Sequence, residues 1–322
     1  MAKGLLIAPT YNNAECIEDK KIFLIFNTAC FGDVLLCNSL CQNIKNIYKN
    51  SKIVFIVDKQ WEEVAKYQEC VDEVFIYDKK GVNKGLLGFI KFIKSFPYKN
   101  VFASVITYRN ERNFILACLL RSKNVLGMQK NNGKQNVQEM HNASLQKITQ
   151  SVIKNYPIKF NLPDNVTNPT HLGKKKYITL CCISKDTAKD LPFNITINLI
   201  KEINARTNYK IVFVGKGQNS SEFAKKLENA GCEFINFVNK TTILELGKVL
   251  VDSAVLISVD TGTMHYGYSL GVPTICLFFQ KDLAKLWAPI KQLYNSTIVL
   301  SQDITVDSIM DALNKLGVNN EQ

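Results

Sequence analysis

The chain has 322 residues and a mass of 36.4 kDa, enough for two domains of ordinary size, and its 46% hydrophobic and 21% charged residues are typical of a soluble globular protein. Its net charge of +12 and pI near 9.1 favour an acidic partner, but most of the excess is spread lysine rather than an arginine-rich patch, which argues against nucleic acid. No apolar run approaches the roughly 20 residues that span a bilayer, and residues 1–21 lack a signal-peptide pattern, so we expect a cytoplasmic protein.

The first half of the chain alternates short β-branched or aromatic runs with segments that carry apolar residues at helical spacing. This alternation is typical of βα units and a parallel sheet. The predicted strands are 22–27, 53–57, 73–77, 101–107 and a short one near Val125. The predicted helices are about 34–48, 61–68, 84–95, 110–120 and 136–154.

The stretch 156–176 contains three prolines and interrupts this alternation, so it is the predicted interdomain linker. After it the pattern resumes, with strands predicted at 177–183, 210–214, 233–237, 254–259 and 274–278 and helices at 193–205, 221–230, 243–251 and 264–270. The fold class is therefore α/β, with two doubly wound domains in tandem. Such sheets bind ligands at the carboxyl ends of their strands, which predicts a site in the cleft between the domains.

The motif at 260–265 follows the apolar run 254–259 and opens a predicted helix. The first backbone N–H groups of a helix have no internal partner and carry the positive end of its dipole, so this turn is a candidate phosphate site. On pattern alone, Asp260 or Thr261 as an N-cap with His265 as a packed first-turn residue explains the motif equally well. The small or polar residues in a row after a buried strand favour ligand binding.

A second loop, at 27–33, leaves the first strand and enters the first long helix. In it, Gly32 permits a tight backbone and Asp33 stands at the predicted helix start, with its carboxylate toward the cleft. From the residues alone, Asp33 as a simple helix cap is the more common case.

Two further loops of the second half carry candidate ligand-binding residues. In 184–192, Thr187 and Lys189 are candidates for holding phosphate oxygens, although a solvated loop explains this charged stretch as well. The turn 215–217, with Glu222 beyond it, is a candidate for approaching a ribose or base, but it lacks the full G-x-G-x-x-G spacing.

The ten cysteines do not form a recognisable metal or disulfide pattern. None stands in a C-x-x-C pair, and no histidine near Cys37 and Cys41 completes a metal set. We therefore expect reduced thiols, several of them in apolar runs, and no metal site.

Taken together, these motifs resemble glycosyltransferase family 9, the heptosyltransferases of lipopolysaccharide core assembly. Family members have the GT-B architecture, two Rossmann-like domains facing each other across a cleft. The resemblance rests on four elements in family order: Phe-Gly-Asp-Val-Leu-Leu at 31–36, Val-Asp-Glu-Val at 71–74, Lys-Asp-Leu-Pro at 189–192, and Ser-Val-Asp-Thr-Gly-Thr-Met-His at 258–265.

The resemblance implies a role for each matching position. Asp33 would be the general base that takes the proton of the acceptor hydroxyl, with inversion at the anomeric carbon. The donor pyrophosphate would be bound by Thr261, Gly262 and Thr263, together with Thr187 and Lys189, without a metal or other cofactor. Asp260 and His265 would orient the turn or touch the donor sugar, and contacts to the donor base would come from variable loops, with Lys216, Glu222 and Thr241 as candidates.

The implied domains are 1–160, which binds the acceptor and carries the base, and 161–322, which binds the nucleotide-sugar donor. The last helix is a candidate for packing back onto the first domain. The chain departs from the family pattern at 279–282 (Phe-Gln-Lys-Asp for Gly-Pro-Thr-Asp), at Leu191 where tryptophan is usual, and at 27–29. These departures concern the identity of donor sugar and acceptor rather than the class of reaction.

The expected function is inverting transfer of a sugar, heptose from ADP-heptose, onto a lipopolysaccharide or lipooligosaccharide core acceptor. The basic surface suits a phosphorylated glycolipid at the anionic inner face of the inner membrane. Two alternatives stay open at this point: a nucleotide-sugar epimerase of the same architecture, and a non-catalytic nucleotide-sugar-binding protein.

Overall fold

The computed structural model describes residues 20–108, 110–128 and 135–318. Residues 1–19, to which the sequence assigns no role, lie outside the described residues. No helix among the described residues is long and apolar enough to cross a membrane.

The first half of the chain forms a five-stranded parallel sheet with helices on both faces. Its strands are β1 (Ile22–Asn27), β2 (Lys52–Val57), β3 (Glu73–Ile76), β4 (Ala103–Ile106) and β5 (Asn124–Gly127), in the order β3-β2-β1-β4-β5. Its helices are α1 (Phe31–Leu36), α2 (Asn38–Ile47), α3 (Glu62–Lys66), α4 (Gly85–Ser95), α5 (Glu111–Leu119) and α6 (Val137–Ala143). Alternate side chains of β1 are buried in the cores on opposite faces, which explains its uninterrupted apolar run.

The second half forms a six-stranded parallel sheet of the same kind. Its strands are β6 (Tyr177–Cys181), β7 (Lys210–Phe213), β8 (Ile235–Asn236), β9 (Val255–Val259), β10 (Thr274–Phe278) and β11 (Thr297–Ser301), in the order β11-β10-β9-β6-β7-β8. Its helices are α7 (Phe193–Arg206), α8 (Gln218–Asn229), α9 (Ile243–Asp252), α10 (Gly262–Ser269), α11 (Lys281–Trp287) and α12 (Val306–Lys315). The predicted α/β class with two doubly wound sheets is confirmed.

The strand order reverses between β1 and β4 in the first sheet and between β6 and β9 in the second. At such a reversal the loops that leave neighbouring strands diverge, which opens a crevice at their carboxyl ends. The loops after β1, β6 and β9 carry the candidate motifs found in the sequence. Helix α1 packs against α10, so the two reversal points face each other across the contact between the sheets.

Two long predicted helices are wrong in extent. The single helix 34–48 is divided at Cys37, whose thiol donates to the carbonyl of Asp33 (3.2 Å), a local bond that competes with the helix ladder. The helix 136–154 ends early, in a 3-10 turn at Ser144–Lys147. Beyond that turn, the amide and carbonyl of Lys154 bond the side chain of Asn43 instead of a helix backbone.

The last helix, α12, lies against the second sheet. Helix α12 packs against α7, β10 and β11, and its buried Ile309 and Leu313 belong to the core of the second sheet rather than to a contact with the first domain. The predicted linker 156–176 is irregular between its flanking elements and is tied to both halves. Phe160 bridges to Gln68, and the amide of Ile158 donates to the Tyr294 hydroxyl at 2.8 Å.

Candidate active site

Asp33 lies inside the first turn of α1, because this helix begins at Phe31 and not after Asp33 as the sequence suggested. The backbone N–H of Cys30 donates to its carboxylate, which is the kind of contact a capping residue makes. Its carbonyl accepts from the side-chain amide of Asn27 at 3.1 Å, and Asn27 is fully buried at the end of β1. Asn27 therefore fixes the backbone that carries the Asp33 carboxylate.

Burial raises the pKa of Asp33 to about 6 from its ordinary 3.8. The nearby negative charge of Asp260 raises it further, whereas the Cys30 amide and the positive charge of Lys189 act in the opposite direction. A carboxylate with a pKa slightly below neutral is mostly ionised at pH 7 and still a competent proton acceptor. The two charged groups that shift this pKa, Asp260 and Lys189, come from the second domain.

Lys189 and Asp260 form an ion pair with 2.6 Å between Nζ and Oδ2. Asp260 follows β9 and its side chain is only 6% exposed, whereas Lys189 ends the 3-10 turn Thr187–Lys189 after β6 and is 23% exposed. The lysine head group thus remains reachable from the cleft. Thr187 lies exposed on the same turn.

The N-terminus of α10 has a specific arrangement of donors. Thr261 is the N-cap and its hydroxyl accepts from the Met264 amide at 3.4 Å, while the His265 amide donates to the Thr261 carbonyl. Among the described residues, this leaves the amides of Gly262 and Thr263 as the helix donors without a partner. The capping interpretation is thus correct for Thr261, and it leaves the amides of Gly262 and Thr263 as candidate donors to an anion.

His265 is a packed residue of this helix, only 3% exposed, and its Nδ1 lies 2.6 Å from the Tyr268 hydroxyl. Burial lowers its pKa to about 4, so the imidazole is neutral at pH 7. Its ring contacts α1 so closely that a Cβ at Gly32 would lie 2.5 Å from His265 Cδ2. Gly32 is therefore required for helix contact, not for the tight loop that the sequence suggested.

The contact between α1 and α10 is reciprocal. A Cβ at Gly262 would lie 2.5 Å from Phe31 Cδ1, so each helix presents a glycine to a ring of the other. The Phe31 ring also packs edge-on against Tyr266 with 5.2 Å between centroids. These contacts bring Asp33 and the N-terminus of α10 to the same point of the cleft.

The candidate base-contacting residues lie further along the carboxyl edge of the second sheet. Lys216 and Glu222 are exposed after β7, and Thr241 precedes α9. Within the described residues, none of the three makes a hydrogen bond or ion pair with Lys189 or Asp260. The structure brings them to the same edge but not into the cluster around Asp33.

Lys79 and Lys185 are cations near the site that the sequence analysis did not single out. The Lys79 ammonium donates to the Thr28 carbonyl at 2.9 Å, so it lies beside the loop after β1. Burial raises the pKa of Cys30, while Lys185, Lys79 and Lys189 oppose this effect, so three cations surround the start of α1. The only sequence signal for Lys79 is its position just after a strand.

The remaining sequence motifs have structural roles. Asp72, in the Val-Asp-Glu-Val element, accepts from the Lys45 ammonium and the Ile53 amide at 2.6 Å each, which ties β2 to the loop before β3. The described cysteines are all free. Within residues 20–108, 110–128 and 135–318, no group of three or more His, Cys, Asp or Glu side chains is placed to hold a metal ion.

Comparison with known families and structures shows the family and the fold of this chain. The model of glycosyltransferase family 9 (heptosyltransferase) matches residues 111–308, which is more than half of the chain. The chain belongs to glycosyltransferase family 9. It is therefore a glycosyltransferase. A separate comparison with the curated proteins finds no match.

Solved structures support the GT-B fold of this family member. A family 9 glycosyl transferase from Veillonella parvula has a TM-score of 0.79 at 17% identity, covering 93% of this chain and 98% of that one. The E. coli ADP-heptose lps heptosyltransferase II has a TM-score of 0.73 at 14% identity, covering 92% and 98%. The E. coli heptosyltransferase WaaC with ADP has a TM-score of 0.72 at 15% identity, covering 92% and 99%.

Proposed function

We propose that this glycosyltransferase moves heptose from ADP-heptose onto a lipopolysaccharide or lipooligosaccharide core acceptor with inversion, and that Asp33 is its general base. The observation that carries the proposal is the position of Asp33, whose carboxylate has a pKa of about 6 and shares the cleft with Lys189 and the α10 N-terminus. A proton acceptor and a set of anion-binding donors thus come from opposite domains and meet at one point.

In the proposed reaction, the acceptor hydroxyl gives its proton to the Asp33 carboxylate while its oxygen attacks the anomeric carbon of the donor sugar. The bond from that carbon to the diphosphate oxygen breaks on the opposite face, which inverts the configuration. Lys189 and the amides of Gly262 and Thr263 stabilise the negative charge that develops on the departing diphosphate. Fixed positive charge of this kind supports transfer without a metal ion.

The choice of donor and acceptor is supported by the family and by the similar solved structures of the E. coli ADP-heptose lps heptosyltransferase II and of the E. coli heptosyltransferase WaaC with ADP. The basic charge of +12 supports a phosphorylated glycolipid acceptor at an anionic inner-membrane surface. We further propose that the first sheet binds the acceptor and the second the donor, with Lys216, Glu222 and Thr241 toward the base.

The decisive experiment compares wild type with Asp33→Asn, using ADP-heptose and a heptose-deficient core acceptor. The amide keeps the size and the acceptor oxygen for the Cys30 amide but cannot take a proton, so we expect transfer to fall by at least about a hundredfold while ADP binding is retained. Full transfer by Asp33→Asn would overturn the general-base assignment. Conversion of ADP-heptose with no acceptor present would identify an epimerase instead.

A further inference from the structure

Helix α4 exposes apolar side chains on the face that points away from the sheet. It is anchored by Phe89 and Phe92, which are buried beneath it, yet Leu86 and Leu87 are 72% and 84% exposed and Ile90 is 39% exposed. A helix that is apolar all round is normally covered on every side. The outer face of α4 is therefore unusual for a solvated helix, because Leu86, Leu87 and Ile90 are exposed there beside Lys91 and Lys94.

Helix α5 likewise exposes apolar side chains on its outer face. Its inner face is buried by Leu116 and Ala117, and its outer face presents Phe114, Ile115 and Leu119, each about half exposed. The buried faces of α4 and α5 belong to one core cluster, so both helices lie on the same face of the first sheet. The two helices are joined at their N-termini, where the Arg112 guanidinium donates to the Gly85 carbonyl at 2.9 Å.

The segment that carries α4 has charge of a single sign, and the acidic residue Glu111 lies only in the first turn of α5, next to Arg112. No acidic residue occurs between Asp78 and Glu111, whereas this stretch contains six lysines. Five of these lysines are exposed, and two of them, Lys91 and Lys94, lie on the outer side of α4 itself. Exposed leucines surrounded by lysines form an amphipathic surface that is complementary to an apolar layer with anionic headgroups.

This surface lies at the edge of the sheet that carries the site. Helices α4 and α5 begin at the carboxyl ends of β3 and β4, the same edge at which α1 begins with Asp33. Lys79, three residues before the 74% exposed Val82, reaches the Thr28 carbonyl beside the Asp33 loop. A flat partner that covered the N-terminal ends of α4 and α5 would lie next to the opening of the cleft.

We propose that the α4–α5 surface, which we define as Val82, Leu86, Leu87, Ile90, Phe114, Ile115 and Leu119, docks the enzyme on an anionic lipid bilayer. The apolar side chains insert at the level of the headgroups, and the lysines of α4 contact the lipid phosphates. This inference deepens the proposed function, because it explains how a lipid-anchored acceptor sugar reaches Asp33. Docking itself requires neither donor nor transfer, so it is tested separately.

The test is co-sedimentation of the full-length protein with vesicles of phosphatidylglycerol and phosphatidylcholine, and with vesicles of phosphatidylcholine alone. We expect binding to the anionic vesicles that weakens with added salt, and little binding to the neutral ones. Leu86→Ser/Leu87→Ser should reduce the partition coefficient more than tenfold. Lys91→Gln/Lys94→Gln should reduce it about 25-fold, at about fivefold for each lysine near the surface.

Val152→Ser is the matched control, because Val152 is 78% exposed but lies outside this surface, and its vesicle binding should equal that of wild type. All variants should keep the wild-type Tm and ADP binding, which separates failed docking from failed folding or a failed active site. Wild type that does not bind anionic vesicles, or Leu86→Ser/Leu87→Ser that binds as wild type does, would overturn the proposal. A dimer that becomes monomeric only in that double variant would assign this surface to a second copy of the chain instead.

Discussion

Replacing Asp33 by asparagine should make the protein more stable while it abolishes transfer. The folded protein holds the pKa of Asp33 at about 6 against an ordinary 3.8, so the folded carboxyl binds its proton more tightly than the unfolded one. At about 1.4 kcal/mol per pKa unit, the ionised carboxylate destabilises the fold by up to about 3 kcal/mol above pH 6. Asparagine removes this charge but preserves an oxygen for the Cys30 amide.

The assay is thermal unfolding of wild type and Asp33→Asn at pH 8 and pH 5. At pH 8 the variant should unfold several degrees higher, at about 2–4 °C for each kcal/mol. At pH 5 the gap should shrink to about half, because the folded wild type has taken up its proton there. The buried His141 and His265, whose pKa values burial lowers to about 4, contribute stability that is complete above pH 6.5 and is lost progressively as the pH falls to about 4. At pH 5 this loss lowers the Tm of wild type and variant alike, and conditions more acidic than pH 5 are avoided because both proteins lose more stability there.

Asp164→Asn, in an exposed part of the interdomain connection, controls for the loss of any one carboxylate and should leave Tm unchanged at both values of pH. A lower Tm for Asp33→Asn at pH 8, or a gap that does not change with pH, would refute the reasoning. The first result would mean that the Asp33 carboxylate is a net stabilising cap. The second would mean that its effect is not one of charge.

Three further predictions concern the two sides of the cleft. Gly32→Ala places a methyl group against the imidazole of His265 in α10, so it should lower the free energy of unfolding by about 1–3 kcal/mol and abolish transfer. The control is Gly127→Ala, whose new methyl group has nothing within 4 Å, and its Tm in thermal unfolding should be close to that of wild type. Lys189→Gln should move the acidic limb of the pH profile of kcat to higher pH, and Asp260→Asn should move it to lower pH, because Lys189 lowers the pKa of Asp33 and Asp260 raises it. Shifts in the same direction for both variants would contradict this. ADP at about 100 times its Kd should stabilise the protein by about 2.7 kcal/mol in thermal unfolding, and a larger effect of UDP, GDP or CMP would reject ADP-heptose as the donor.

Ten of the eleven strands in the described residues, and the order of the motifs, could be predicted from sequence, because buried parallel strands are continuous apolar runs and their loops are short. Strand β11 was not predicted; it lies at the edge of the second sheet, and its residues are only partly buried. The same signal placed Asp33 and Asp260 at the carboxyl ends of strands, which suffices to expect them in one cleft. It could not reveal the helix break at Cys37, since that break depends on bonds to the Asp33 carbonyl from Asn27 and from the Cys37 thiol itself.

The details of the site depend on contacts between residues distant in the chain. The closeness of Gly32 to His265 joins positions more than 200 residues apart, and no local pattern encodes it. For the same reason, Lys79 could not be connected with the loop at Thr28 before the sheet order was known. The outer face of α4 was missed for a different reason, because an apolar segment of helical spacing predicts burial and does not indicate which side is left uncovered.

The reciprocal packing of two glycines against two rings has a mechanical consequence. The Gly32–His265 and Gly262–Phe31 contacts leave no space for α1 and α10 to approach further, so a closure of the cleft would have to rotate the two halves about this contact. We expect the outer rim of the cleft, at Lys216, to swing inward when the nucleotide binds, while the separation of Asp33 from the donor phosphates changes little. In such a rotation the outer rim of the cleft would capture the nucleotide, while the region around Asp33, close to the axis, would keep the reacting groups aligned.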